Sequence, residues 1–234
     1  MKKEDNSNKI ILDLCGGTGS WSRPYKDAGY DVRTITLPEY DVLDFSHNLT
    51  DNIIAFHSQT KRHKVNAIPL REVYGILAAP PCTMFSYART KAKKPRDLQE
   101  GMKVVEACLK IIWQAQYGLE KSTSRVTTLK FWALENPYAM LKHFLGKPAF
   151  TFDPWEFGDG YQKKTALWGK FNEPVKAPVP MTEEMKKLAK TNSYLHKIKF
   201  PKFRSDRGIE FRFNADRKSI TPAEFAKAFF ESNR

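Results

Sequence analysis

The sequence predicts an α/β protein: an open, mostly parallel sheet with helices on both faces and a small basic subdomain appended. Three stretches predict it. Ile10 to Leu14 is an apolar run that passes into Cys15-Gly16-Gly17-Thr18-Gly19-Ser20 and then into a helical segment. Strand, glycine-rich turn and helix in that order open a nucleoside- or dinucleotide-binding βα unit, although the same pattern also serves a plain βα turn. Gly75 to Ala79 and Leu129 to Leu134 are two further apolar runs, and they break at Pro80-Pro81-Cys82 and Glu135-Asn136-Pro137. Proline cannot extend a central strand, so both runs end there, and in a parallel sheet both ends open on one crevice.

Length and composition support a packed core. The 234 residues suit one domain with a small appendage, and 41% apolar with 13% aromatic content argues against disorder. Thirty-nine Lys and Arg against 26 Asp and Glu leave a net charge of +13. That is the footprint of a protein that meets a polyanion, or of a generally basic surface. Cysteines at 15, 82 and 108 are odd in number and form no CxxC pair, so neither a disulfide framework nor a cysteine metal site is expected. The first residues are polar and no run approaches the roughly 18 apolar residues of a membrane span. The reading is a soluble, cytoplasmic protein, with no membrane and no metal.

Along the chain, Trp21 to Ala28 reads as a helix stopped by Gly29, and Asp31 to Leu37 as a β-branched strand followed by Glu39, Asp41 and Asp44. An acidic side chain past a second strand takes a ribose hydroxyl in many nucleoside-binding sheets, and elsewhere is simply solvated. Residues 46–72 are polar, and His47, His57 and His63 read as scattered surface residues. Cys82 is either a buried thiol in a tight turn or a nucleophile at a strand end. The segment Tyr87 to Arg96, with Arg89 and four lysines and arginines besides it, follows directly and would meet a phosphate backbone or only water. Asp97 then caps a long helix with an apolar stripe at Leu98, Met102, Val105, Leu109 and Ile112, and Cys108 beside it in the core. Phe157 to Gly169 reads as a turn and a strand carrying polar donors, and 172–216 as a basic, proline-broken region. Thr221-Pro222-Ala223-Glu224 reads as a capping box opening a terminal helix docked through Phe225 and Phe229.

Laid out in this way, the chain resembles the cytosine-5 DNA methyltransferases, especially the small phage-type members, from about Ile10 to Trp168 and again from Arg217. Asp13-Leu-Cys-Gly-Gly-Thr-Gly19 is similar to that family's S-adenosylmethionine loop, and Pro80-Pro81-Cys82 with Phe85-Ser86 to its nucleophile motif. Glu135-Asn136-Pro137 resembles its ENV-type motif, Gln162-Lys163-Lys164 its QxRxR motif, and Arg217 with Thr221-Pro222 its closing segment. The resemblance implies a Rossmann-like S-adenosylmethionine-dependent methyltransferase sheet. It divides the chain into a catalytic domain (1–170), a basic target-recognition region (171–216) and a docked C-terminal helix (217–234). It also implies a bacterial or phage-infected cell, duplex DNA as partner and a monomer.

By the same resemblance Cys82 adds to carbon 6 of a flipped-out cytosine, Glu135 holds the base edge and Lys164 contacts the base. Asp13, Cys15, Gly16, Gly17, Gly19, Glu39, Asp41 and Pro80 would hold the cofactor. Pro81, Ser86, Arg89, Asn136, Pro137, Gln162 and Arg217 would hold the substrate. The sequence departs from the family at Cys15, where phenylalanine is usual, at Thr36, where an acid is expected, and at Lys164 and Ala166, which replace two arginines. The same fold acting on RNA or moving a modified one-carbon group, and a non-catalytic nucleic-acid-binding module, are the alternatives. Retention of both Cys82 and Glu135 argues against the last.

Overall fold

The computed structural model describes residues 5–48, 52–87, 89, 92–117, 128–159, 161–180, 182–183, 186 and 219–234. Its centre is a six-stranded mixed sheet. The strands are β1 (Ile10–Leu14), β2 (Asp31–Ile35), β6 (Val73–Ala78), β7 (Phe131–Pro137), β8 (Phe150–Phe152) and β9 (Thr165–Lys170), in the order β2-β1-β6-β7-β9-β8. The first four are parallel, and β9 runs against both β7 and β8. The parallel part is as the sequence predicts, whereas the reversed β9 makes the whole sheet mixed.

Alternation along these strands divides the core in two, because successive side chains leave opposite faces of a sheet. Ile10, Leu12 and Leu14 of β1 join Ile76, Ala78, Leu134, Ala166 and Trp168 on one face. Ile11 joins Leu77, Phe131, Ala133 and Leu167 on the other. Helix α2 (Leu98–Tyr117) covers the first face through Val105, Cys108, Ile111, Ile112 and Ala115, all buried. Asp97 caps it as expected, its Oδ1 accepting the Glu100 N–H at 2.8 Å. Helix α1 (Arg23–Asp27) and the terminal helix, numbered α4 here (Ala223–Ser232), cover the second face through Tyr25, Phe225 and Phe229. Short α3 (Lys142–Leu145) follows β7.

Two expectations are corrected. Residues within 40–69 form a second, antiparallel sheet of β3 (Tyr40–Asn48), β4 (Ile53–Ser58) and β5 (Val65–Pro69). Ile54, Phe56 and Ile68 are fully buried in the core under α2, and the polar composition comes mainly from the run 57–64 that links β4 to β5. His47 is half-buried in β3 rather than on the surface, and desolvation holds its pKa below the usual histidine range. The Thr221 capping box is not formed either: α4 starts at Ala223, Thr221 N–H donates to Ser20 Oγ at 3.0 Å, and the Glu224 N–H is taken by the carboxylate of Asp159. A tertiary contact, not a local one, caps the helix.

Phe225 and Phe229, each fully buried, contribute on the order of 2–3 kcal/mol apiece to docking α4. Phe225 stacks on Phe152 with centroids 3.9 Å apart. Gly169, paired with Ala133 in the β7–β9 ladder, admits no side chain, since a Cβ there would lie 2.1 Å from the Trp132 carbonyl oxygen. Backbone cannot yield as a side chain can, so Gly169→Ala is expected to destabilise the fold by about 3 kcal/mol or more, read as a fall of roughly 10 °C in Tm.

Candidate active site at the carboxyl ends of β1, β6 and β7

The chain leaves β1 toward β2 on one side and returns through β6 on the other, so the sheet's switch point lies between β1 and β6. Ligands of open α/β sheets bind outside the carboxyl ends of the strands at that point. A cavity of about 90 Å³ occupies it. Its wall combines Asp13 and Cys15 to Thr18 from the glycine loop, Ala79 to Cys82 from the end of β6, and Glu135 and Pro137 from β7. Trp21, Lys163, Ser219 and Thr221 complete it. Residues 120 positions apart thus meet because parallel strands put all their carboxyl ends at one edge.

The glycine loop is fixed from beneath. Asp13, fully buried, accepts the Ser22 hydroxyl at 2.5 Å, and a Cβ on Gly16 would fall 2.1 Å from its carboxylate oxygen. At Gly17, φ is +50° and a Cβ would meet nothing closer than 3.9 Å, so the backbone there is open to a ligand. Trp21 lines the cavity, and its buried indole N–H has no hydrogen-bond partner among the described residues. A second cavity of about 160 Å³, lined by Thr18, Gly19, Ser22, Thr34 and Glu39 among others, lies on the other side of Thr18. Glu39 also pairs with Lys64.

The nucleophile loop is fixed from outside. Cys82 begins a single 3-10 turn, Cys82–Met84, after Pro81. Arg96 donates to the Met84 and Ser86 carbonyls, each at 2.7 Å, and so clamps the loop. Asn136, fully buried, donates from Nδ2 to the Pro80 carbonyl at 2.9 Å, tying the end of β6 to β7. Its buried Oδ1 has no partner among the described residues.

The structure redistributes several expected roles. Asn136 braces the cavity wall rather than facing a ligand. Arg89 folds back to donate to the Lys94 and Pro95 carbonyls at 2.8 and 2.9 Å, closing its own loop instead of presenting a free guanidinium. Asp41 accepts the Leu43 N–H in β3 and lines neither cavity, nor do Ser86 and the exposed Gln162. Lys164 points away to Asp153, 3.6 Å off, and it is Lys163 that enters the cavity. Adjacent residues leading into a strand face opposite ways, and Asp153 captures the second. Cys15 both lines the cavity and hydrogen-bonds the buried Cys108 thiol, whose pKa is pushed up by that bond and then by burial. Arg217 and most of the basic region lie outside the described residues. Trp21 and Lys163 were missed as site residues; a Lys163 role had a signal only in its place beside Lys164.

Burial pushes the Cys82 thiol above the usual cysteine range, the Glu135 charge pushes further, and Lys163 opposes both. Burial also raises the Glu135 carboxyl, again against Lys163. The thiolate is the reactive form, so a raised pKa leaves Cys82 weakly reactive at neutral pH and makes it more reactive as pH rises. Alkylation by iodoacetamide, mapped to the Cys82 peptide, is expected to run slower than that of free cysteine at neutral pH and to climb about tenfold per pH unit toward the alkaline side.

Among the described residues no helix is long and apolar enough to cross a membrane, and no group of three or more His, Cys, Asp or Glu is placed to hold a metal ion. No protein-family model matches the chain, and no curated protein matches it.

Proposed function

We propose that the chain is an S-adenosylmethionine-dependent methyltransferase acting on carbon 5 of cytosine in DNA. The observation that carries the reading is the meeting of Cys82, Glu135 and the open backbone of the glycine loop around one cavity at the sheet's switch point. The parallel β2-β1-β6-β7 core supports a Rossmann-like methyltransferase sheet.

The donor set fits a nucleoside cofactor. Gly17 leaves room at the backbone, Trp21 offers a donor unpartnered among the described residues, and Glu39 stands in the neighbouring cavity within reach of hydroxyl chemistry. The two cavities, about 90 and 160 Å³, share Thr18 in their walls, and the residues that would hold the cofactor are divided between them. S-adenosylmethionine supplies an electrophilic methyl group when bound.

The protein's own residues prepare the base. The Cys82 thiolate forms a bond to carbon 6, and the pair displaced from the ring double bond makes carbon 5 nucleophilic. Glu135, kept protonated more readily by its burial, donates to the ring nitrogen edge as charge builds there. Lys163 offsets the accumulating negative charge. After transfer, water takes the carbon-5 proton, the electron pair left behind restores the double bond, and the bond to sulfur breaks to release Cys82 as thiolate. The base must leave its stack to reach this cavity, at a cost of a few kcal/mol.

The test is incubation of the full chain with mixed-sequence duplex DNA and S-adenosylmethionine bearing a deuterated methyl, followed by nucleoside mass spectrometry. Labelled 5-methylcytosine is the expected product. Absence of label in DNA, with cofactor binding shown separately by calorimetry, overturns the reading.

A further inference from the structure

Tyr138 directly follows Pro137, a cavity residue, and its N–H donates to the Lys164 carbonyl at 2.9 Å. Its ring stays 39% exposed although the Lys142 ammonium lies 4.4 Å from its centroid. The ammonium on one side leaves the rest of the ring open to a partner. The surroundings are basic and aromatic. Lys142 flanks it, Phe144 of α3 is 48% exposed, and Tyr87, just beyond the Cys82 loop, is 53% exposed. Phe144 packs at 6.3 Å against Phe85, so α3 and the Cys82 loop form one continuous rim.

Such a combination fits a nucleic-acid strand with an unstacked base. An aromatic face stacks on any nucleobase, while lysines alongside take the phosphates, and neither requires a particular sequence. Extruding a cytosine into the cavity leaves its neighbours without a stacking partner. We propose that Tyr138, backed by Lys142, stacks on an unstacked base of the target DNA beside the flipped cytosine. This rests on the DNA reading above and adds to it the state of the partner: a strand locally opened at the rim.

The test is equilibrium binding of a fluorescein-labelled single-stranded oligodeoxynucleotide and of a fully paired duplex, by anisotropy, in the absence of cofactor. Four proteins are compared: wild type, Tyr138→Ala, Tyr138→Phe and Lys142→Met. Tyr138→Ala is expected to weaken single-strand binding about tenfold while paired-duplex binding changes less, and Tyr138→Phe to bind within about twofold of wild type, since stacking needs the ring and not the hydroxyl. Lys142→Met is expected to lower the salt slope of single-strand binding by about 0.7. Unchanged single-strand binding by Tyr138→Ala, with an unchanged melting temperature, overturns the proposal, as does wild type that does not bind single strands. Because no methyl transfer enters this measurement, the expected pattern together with an absence of labelled 5-methylcytosine would leave the stacking surface standing and remove the methylation reading alone.

Discussion

Cys82→Ser is expected to abolish methyl transfer, lowering the single-turnover rate on the order of 10⁴-fold or more, while duplex DNA binding stays within about twofold of wild type. A serine hydroxyl ionises far above any accessible pH and cannot supply the nucleophile that carbon 6 requires. The substitution is close in volume and the loop is held by main-chain bonds to Met84 and Ser86 from Arg96, not by the thiol. The fold therefore survives, and the loss can be assigned to chemistry. The deuterium-label assay and a gel-shift titration on the same preparations provide the two readouts. Serine turnover within tenfold of wild type would sink the covalent mechanism, and parallel loss of DNA binding would mean that Cys82 serves the surface instead.

Lys163→Met and Lys164→Met are expected to separate sharply. Lys163 is the cation that opposes the upward shifts of both Cys82 and Glu135, whereas Lys164 is turned to Asp153 at 3.6 Å. Without Lys163 the thiolate is rarer at a given pH and the charge developing on the ring is less well met. Loss of one preorganised charge or donor costs about 10²–10³ in rate. The pH profile carries the sharper signature: the alkaline rise of the Cys82 alkylation rate should move to higher pH in Lys163→Met and stay in place in Lys164→Met. The Lys164–Asp153 pair, with the ammonium half exposed, stands apart from the cavity chemistry, so Lys164→Met is expected within about threefold of wild type. Equal effects of the two substitutions would overturn the assignment of Lys163 to the cavity chemistry.

Local signals in the chain were enough for the parallel core. Ile10 to Leu14, Gly75 to Ala78 and Phe131 to Leu134 are apolar on both faces, which only a sheet covered on both sides accommodates, and their prolines and glycines mark where each stops. The Asp97 cap and the stripe of α2 were legible for the same reason, since spacing within one helix is written in consecutive residues. The second sheet was hidden because its short strands, which bury Ile54, Phe56 and Ile68, are separated by the wholly polar run 57–64 that dominates the composition of the segment. The cap of α4 was misread because its true acceptor, Asp159, lies more than sixty residues away.

The sequence by itself determined which chemical groups stand at strand ends: Cys82 after two prolines, Glu135 before one, and a glycine loop after β1. Tertiary structure alone decided which of the groups nearby share the cavity with them. Lys163 enters and Lys164 does not because Asp153 draws one ammonium aside. Asn136 and Arg96 brace the walls by donating to the carbonyls of Pro80, Met84 and Ser86. The identity of a reactive group is a property of one residue, but its direction and its pKa depend on neighbours that only folding brings within a few ångströms.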